Sequence, residues 1–245
     1  MLLEAHGITK TFGSFRAVAD ASIEVAEGEI IGLIGPNGAG KSTFFNCIAG
    51  DIVPTSGRVL FAGRDLTRAS PEAHARAGIG RTFQVPATFA DMTVLENVMV
   101  GAFLRQPRRS VAREHAREIL ALTGLGEQAD VRASTLGTPG RKRLEIARVL
   151  ASGPRLMLLD EALAGLTPSE LQQAIALVRK IHAMAVTIVI VEHVMEAIMM
   201  LTNRVLVFNQ GHVIASGKAE DVIRHDAVIE AYLGRGPRRR REQTS

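Results

Sequence analysis

The chain has 245 residues, 47% of them apolar, which is enough for one large α/β domain or a core carrying a smaller lobe. Cys47 is the single cysteine, so an internal disulfide is excluded, and no run of about 18 uncharged apolar residues is present to span a bilayer. The net charge of +4 gathers in residues 235–245, while the body is balanced and has no basic, aromatic-laced patch, so no nucleic acid is expected as a partner.

The chain starts Met1-Leu2-Leu3-Glu4, with an acid too early for a secretory signal, and a cytosolic protein is the expectation. An alternating segment runs to Val25, Ala26-Glu27-Gly28-Glu29 makes a turn, and Ile30–Ile34 is a continuous apolar run. So short and apolar a run predicts a strand buried on both faces. Gly35–Gly40 breaks it, a helix is expected from Lys41 to about Ala49, and Arg58–Phe61 reads as a short strand.

Strand-like runs disappear from about Gln84 to Pro154. Residues 110–123 suit an amphipathic helix and Leu144–Ala151 another, so a helical lobe over about 85–154 is predicted to interrupt the α/β core. Leu156–Leu159 reads as a buried strand ending at Asp160. Thr167-Pro168-Ser169-Glu170 combines a capping box with proline at the first helical position, and apolar residues then recur at helical spacing through Ile181. Thr187–Val191 reads as a further buried strand, and Asn209-Gln210-Gly211 as a hairpin turn between Val205–Phe208 and His212–Ile214. This alternation predicts a largely parallel sheet. The Arg-rich stretch 235–245 reads as a solvated terminus, with contact to anionic lipid as the sharper alternative.

Gly35-Pro36-Asn37-Gly38-Ala39-Gly40-Lys41-Ser42 fits the pattern G-x-x-x-x-G-K-[ST], between an apolar strand and a helix. Glycines let successive backbone N–H groups turn toward phosphate oxygens, and the helix adds its positive end. Lys41 is expected to reach the terminal phosphates, Ser42 to ligate Mg²⁺, and Thr43 to donate to a phosphate. The strand-end acids fit the same chemistry: Asp160 can hold Mg²⁺ and Glu161 can polarise an attacking water.

In this order and spacing the residues resemble the ATP-binding subunits of ABC transporters, over about residues 3–234. The resemblance implies a P-loop ATPase with a mixed α/β sheet core, an antiparallel β part near the N-terminus and one ATPase domain over 1–234. Gly35–Ser42 looks like the Walker A motif and Leu156–Asp160 like Walker B, with Glu161 at the position of the catalytic base. Gln84 looks like the glutamine that senses Mg²⁺ and couples the site to the membrane partner. His193 looks like the histidine that contacts the γ-phosphate. Phe12 stands where the family stacks an aromatic on adenine, with Phe15 as the alternative. The implied ligands are ATP and Mg²⁺.

The runs 78–84, 92–101, 144–148 and 228–234 are similar to those of branched-chain (hydrophobic) amino acid importers, and more so to the longer of their two ATPase subunits. The implied partners are a second ATPase subunit, identical or different, two membrane permease subunits and, indirectly, a solute-binding protein. The implied location is the cytoplasmic face of the membrane. The other readings are a nucleotide-binding ABC subunit with weak or regulatory ATPase activity and a soluble ABC protein acting without a transporter. The sequence departs from the family where Leu136-Gly137-Thr138-Pro139-Gly140 replaces the signature segment. That segment caps the partner's ATP with a serine hydroxyl and backbone N–H groups, and proline has no N–H. Ala162, Thr167 and Val194 also depart from the usual residues.

Overall fold

The computed structural model describes residues 1–233; the Arg-rich stretch 235–245 lies outside the described residues. The N-terminal part is an antiparallel sheet. Strands β1 (Leu3–Phe12), β2 (Phe15–Val25), β4 (Ser56–Phe61) and β5 (Arg64–Asp65) take the order β2-β1-β4-β5. At the end of β2, Ala21, Ile23 and Val25 are buried while Ser22 and Glu24 face solvent, as the alternation requires. The strand expected from Arg58 begins two residues earlier, at Ser56.

The second sheet contains β3 (Ile30–Ile34), β6 (Ile79–Arg81), β7 (Leu156–Asp160), β8 (Thr187–Val191), β9 (Arg204–Asn209) and β10 (His212–Gly217), in the order β10-β9-β3-β8-β7-β6. All its pairs are parallel except β9–β10. Every residue of β3, β7 and β8 is buried. Their alternate side chains enter two different apolar clusters. Ile30, Ile34, Met157, Leu159, Ile188 and Ile190 join one, and Ile31, Leu33, Leu156, Leu158, Val189 and Val191 join the other. The continuous apolar runs are therefore the signature of a sheet covered on both faces.

Helix α1 (Lys41–Ala49) leaves β3 through the glycine loop, and α2 (Pro71–Ala77) precedes β6. Between β6 and β7 lie α3 (Val94–Ala102), α4 (Arg109–Leu122) and α5 (Thr138–Ala151), with no strand of either sheet. Thr93 and Glu96 close a capping box at the start of α3. Helix α5 starts at Thr138, six residues before the predicted Leu144. Proline in its first turn is compatible with a helix start, where an N–H has no intrahelical partner. The last part holds α6 (Pro168–Ala183), capped by Thr167 and Glu170 as predicted, then α7 (Met195–Leu201), α8 (Ala219–Val222) and α9 (Asp226–Leu233). No helix among the described residues is long and apolar enough to cross a membrane.

The β9–β10 hairpin does more than close the sheet edge. Its two turn residues, Gln210 (φ 47°) and Gly211 (φ 83°), both lie at positive φ, as a tight hairpin of matching twist requires. Gly211 donates its N–H to Ala39 O at 2.9 Å and accepts from Ala19 N–H at 2.8 Å. The turn thereby joins the glycine loop after β3 to strand β2 of the other sheet.

Candidate active site

The glycine loop is shaped by close backbone approach. A Cβ on Gly35 (φ 142°) would lie 2.2 Å from the carbonyl oxygen of Phe208, and one on Gly40 (φ 100°) 2.4 Å from that of Ala17. Both positions therefore demand glycine twice over, by φ and by space. Helix α1 begins at Lys41 with no side-chain cap and no acid in its first turn. Its first residues line a cleft, where free N–H groups and the positive end of the dipole suit an anion. The Lys41 ammonium is buried and donates to Gly35 O at 2.7 Å and Pro36 O at 2.9 Å. Burial pushes its pKa below the usual lysine range, and Glu161 and Asp160 oppose that shift.

Strand β7 delivers the two acids to the same place. Asp160 is buried, its N–H donates to Thr82 Oγ1 at 3.0 Å, and its carboxylate lies 3.4 Å from Arg81 Nη2. Burial raises the Asp160 pKa, an effect opposed first by Arg81. Glu161 has φ 47°, a left-handed conformation that a residue with a Cβ rarely adopts, held by its N–H to Val191 O at 2.9 Å. Backbone strain of this kind gathers at functional sites. Its carboxylate accepts from Gln84 Nε2 at 2.8 Å. His193 follows β8 and is exposed.

A cleft of about 590 Å³ gathers these groups, lined by Asn37–Thr43, Gln84, Glu161 and His193 together with Phe15 and Ala17. Gly35, Pro36 and Asp160 stand behind this lining, Gly35 against the Phe208 carbonyl and Asp160 against Arg81. Of the two aromatic candidates, Phe15 lines the cleft and Phe12 does not. The two are directly opposite across the β1–β2 pair, and the Phe12 ring instead carries the Lys10 ammonium 5.2 Å from its centroid. Ser42, Gln84 and Asp160 offer oxygen donors, which suit a hard cation such as Mg²⁺. Glycine at Gly35 and Gly40 lets the loop pack against the Phe208 and Ala17 carbonyls, which fixes its path around the cleft.

Several residues around the site had no signal in the sequence beyond being charged. Arg81, 13% exposed, donates to Asn46 Oδ1 at 2.9 Å, pairs with Asp51, and lies over the rings of Phe45 and Phe83. Lys142, Glu145 and Arg148 of α5 reach the loops that carry Gln84 and Glu161.

A strand-loop-helix phosphate cradle facing two strand-end acids, on a mixed sheet joined to an antiparallel one, defines a nucleotide-binding P-loop ATPase. The ABC transporter family model matches residues 18–164, and the chain belongs to that family as an ATP-binding cassette. A second model, for the branched-chain amino acid ATP-binding cassette transporter, matches residues 212–237. The high-affinity branched-chain amino acid transport ATP-binding protein LivG of Salmonella typhimurium is 40% identical, over 95% of this chain and 98% of its own length. BraF of Pseudomonas aeruginosa, with the same description, is 37% identical over the same shares. Among solved structures, a nucleotide-free ATP-binding cassette from an ABC transporter superposes with a TM-score of 0.88 at 32% identity, covering 96% of this chain and 99% of that one. An ADP conformation of such a cassette superposes at 0.86 with 31% identity and the same coverage.

Proposed function

We propose that this chain is the ATP-hydrolysing subunit that powers an importer of branched-chain or other hydrophobic amino acids. It would be one ATPase domain over 1–234 with a helical lobe over about 85–154. It would work on the cytoplasmic face of the membrane, paired with a second ATPase subunit and docked on two permeases, and served indirectly by a solute-binding protein. The observation that carries this reading is the convergence of the glycine loop, Gln84, Glu161 and His193 on one cleft, in a chain 40% identical to LivG along nearly its whole length.

In this reading the loop N–H groups, the α1 terminus and Lys41 bind the phosphates and stabilise the charge that builds on the γ-phosphoryl group. Phe15, which lines the cleft, would stack on the base. Ser42, Asp160 and Gln84 would hold Mg²⁺, which supplies charge neutralisation on the phosphate oxygens. Glu161 orients water and accepts its proton, and its strained backbone fixes the carboxylate without a mobile approach. His193 donates to the γ-phosphate. Glu161→Gln keeps the shape and removes the base. It should leave ATP binding within about twofold and cut turnover by about 10²–10⁴, as loss of a general base does. Unchanged turnover in Glu161→Gln would remove Glu161 from the mechanism.

A second reading is a nucleotide-binding subunit with weak or regulatory ATPase activity. It draws on the start of α5, where Gly137 offers no side-chain cap and Pro139 no N–H. Purified full-length chain assayed alone and with its permeases separates the two: permease-stimulated turnover supports the first, and tight ATP binding without turnover the second.

A further inference from the structure

Three charged residues of α5 stand at every third position along one side: Lys142, Glu145 and Arg148. In sequence they look like a solvated helix face, yet Glu145 is 3% and Arg148 14% exposed at the side chain. Each grips backbone, and Glu145 and Arg148 also pair with each other at 3.8 Å. Lys142 Nζ donates to Glu161 O at 3.0 Å and to Ala164 O at 2.6 Å. One carboxylate oxygen of Glu145 accepts N–H from Phe83 at 3.1 Å and from Ala87 at 3.4 Å. Arg148 Nη1 donates to Ala87 O at 2.5 Å. The gripped backbone atoms flank the two side chains that meet in the cleft, Gln84 and Glu161, whose own hydrogen bond is 2.8 Å.

We propose that Lys142 and Glu145 are positioning residues that set Gln84 against Glu161, with α5 acting as a yoke across the two loops. The argument is one of accounting. Thr82 N–H still donates to Leu158 O of β7, but residues 83–87 beyond it are outside any helix or strand, so their N–H groups have no ladder to join. Glu145 supplies two of them with a charged acceptor, which makes a stronger and more directional bond than a neutral one. The loop after β7 exposes carbonyls in the same way, and Lys142 supplies them with a charged donor. Because both groups sit on one helix, α5 adds a second tie between the two loops, beyond the direct one that Asp160 N–H makes to Thr82 Oγ1 at the strand ends. A rotation of α5 would thus move the Gln84 loop and the Glu161 loop together.

This inference rests in part on the ATPase reading, and its test separates the two. In the full-length chain, Glu145→Leu should speed hydrogen exchange at the Phe83 and Ala87 amides by about tenfold or more while amides in β7 and α6 hold. Turnover should fall about tenfold or more with ATP affinity kept within about twofold, and Glu145→Gln, which keeps an acceptor oxygen, should retain turnover within about threefold. Added to Gln84→Ala, Glu145→Leu should cost less than about twofold more, since both act through Gln84. Should Glu145→Leu fail to fold, the half-buried Lys142 serves instead: Lys142→Met should lose turnover about tenfold and Lys142→Arg restore it. Unchanged exchange at residues 83 and 87, multiplying losses in the double variant, or equal losses in the Leu and Gln variants would overturn the yoke. A wild-type chain without turnover would sink the ATPase reading alone, leaving the exchange experiment to decide this one.

Discussion

At the phosphate loop, position is enforced by main chain against main chain. The carbonyls of Phe208 and Ala17 stand where Cβ atoms on Gly35 and Gly40 would be, and the Gly211 N–H holds Ala39. Across the cleft, at the seam under α5, position is enforced by long charged side chains holding loop backbone. The first construction has almost no freedom to move, because packed backbone does not deform gradually. The second can shift as a unit, since side-chain torsions absorb small motions. A site that must hold phosphate firmly and still respond to another subunit needs both kinds of support, one on each wall.

The comparison breaks first at Gly35. Gly35→Ala must displace the Phe208 carbonyl, and we expect a loss of nucleotide affinity of more than about 100-fold, read by titration with a fluorescent ATP analogue, or loss of the folded chain. Affinity close to wild type would mean the loop is not held by backbone contact. In the lobe, the capping box of α3 is the corresponding local test. Thr93→Ala should lower stability by about 1 kcal/mol in denaturant unfolding while ATP affinity stays put. Parallel loss of affinity would show that the two walls are not separable.

The smallest effect is a pH dependence at Glu192, which sits between β8 and His193. One carboxylate oxygen accepts from Leu163 N–H at 2.6 Å, and the other is buried with no partner among the described residues. Burial raises its pKa, opposed by the Leu163 N–H and nearby positive charge. A raised carboxyl pKa means the folded chain binds more protons than the unfolded one, so this group's contribution to stability falls as pH rises from the unfolded value through the folded one. Glu192→Gln should flatten that slope in melting curves taken from pH 5 to 8. A slope unchanged by the substitution would assign it elsewhere.

The phosphate loop was legible because its chemistry is local: strand, glycines, lysine and helix follow one another within Ile30–Ala49. The buried strands β3, β7 and β8 were legible because a sheet covered on both faces leaves no polar position. The start of α5 was not, since Pro139 and Gly140 argue against a helix in isolation and only packing and the gripped loops keep the turn. The burial of Glu145 was invisible for the same reason, as its partners come from residues 83 and 87. Helix α2, with Ser70 as cap and Pro71 in its first turn, carried a readable start signal that was missed in a short, polar stretch. Choosing between Phe12 and Phe15 needed the pairing of β1 with β2, which no local pattern supplies.

The hairpin turn at Gln210–Gly211 has a consequence for how the protein comes into being. The phosphate loop leaves the ribosome well before its seat is finished, because Phe208 and Gly211 lie far downstream of it in the chain. Until those residues emerge, the loop lacks the carbonyl wall behind Gly35 and the N–H that holds Ala39. A chain that stops short of this hairpin therefore carries the motif without its seat.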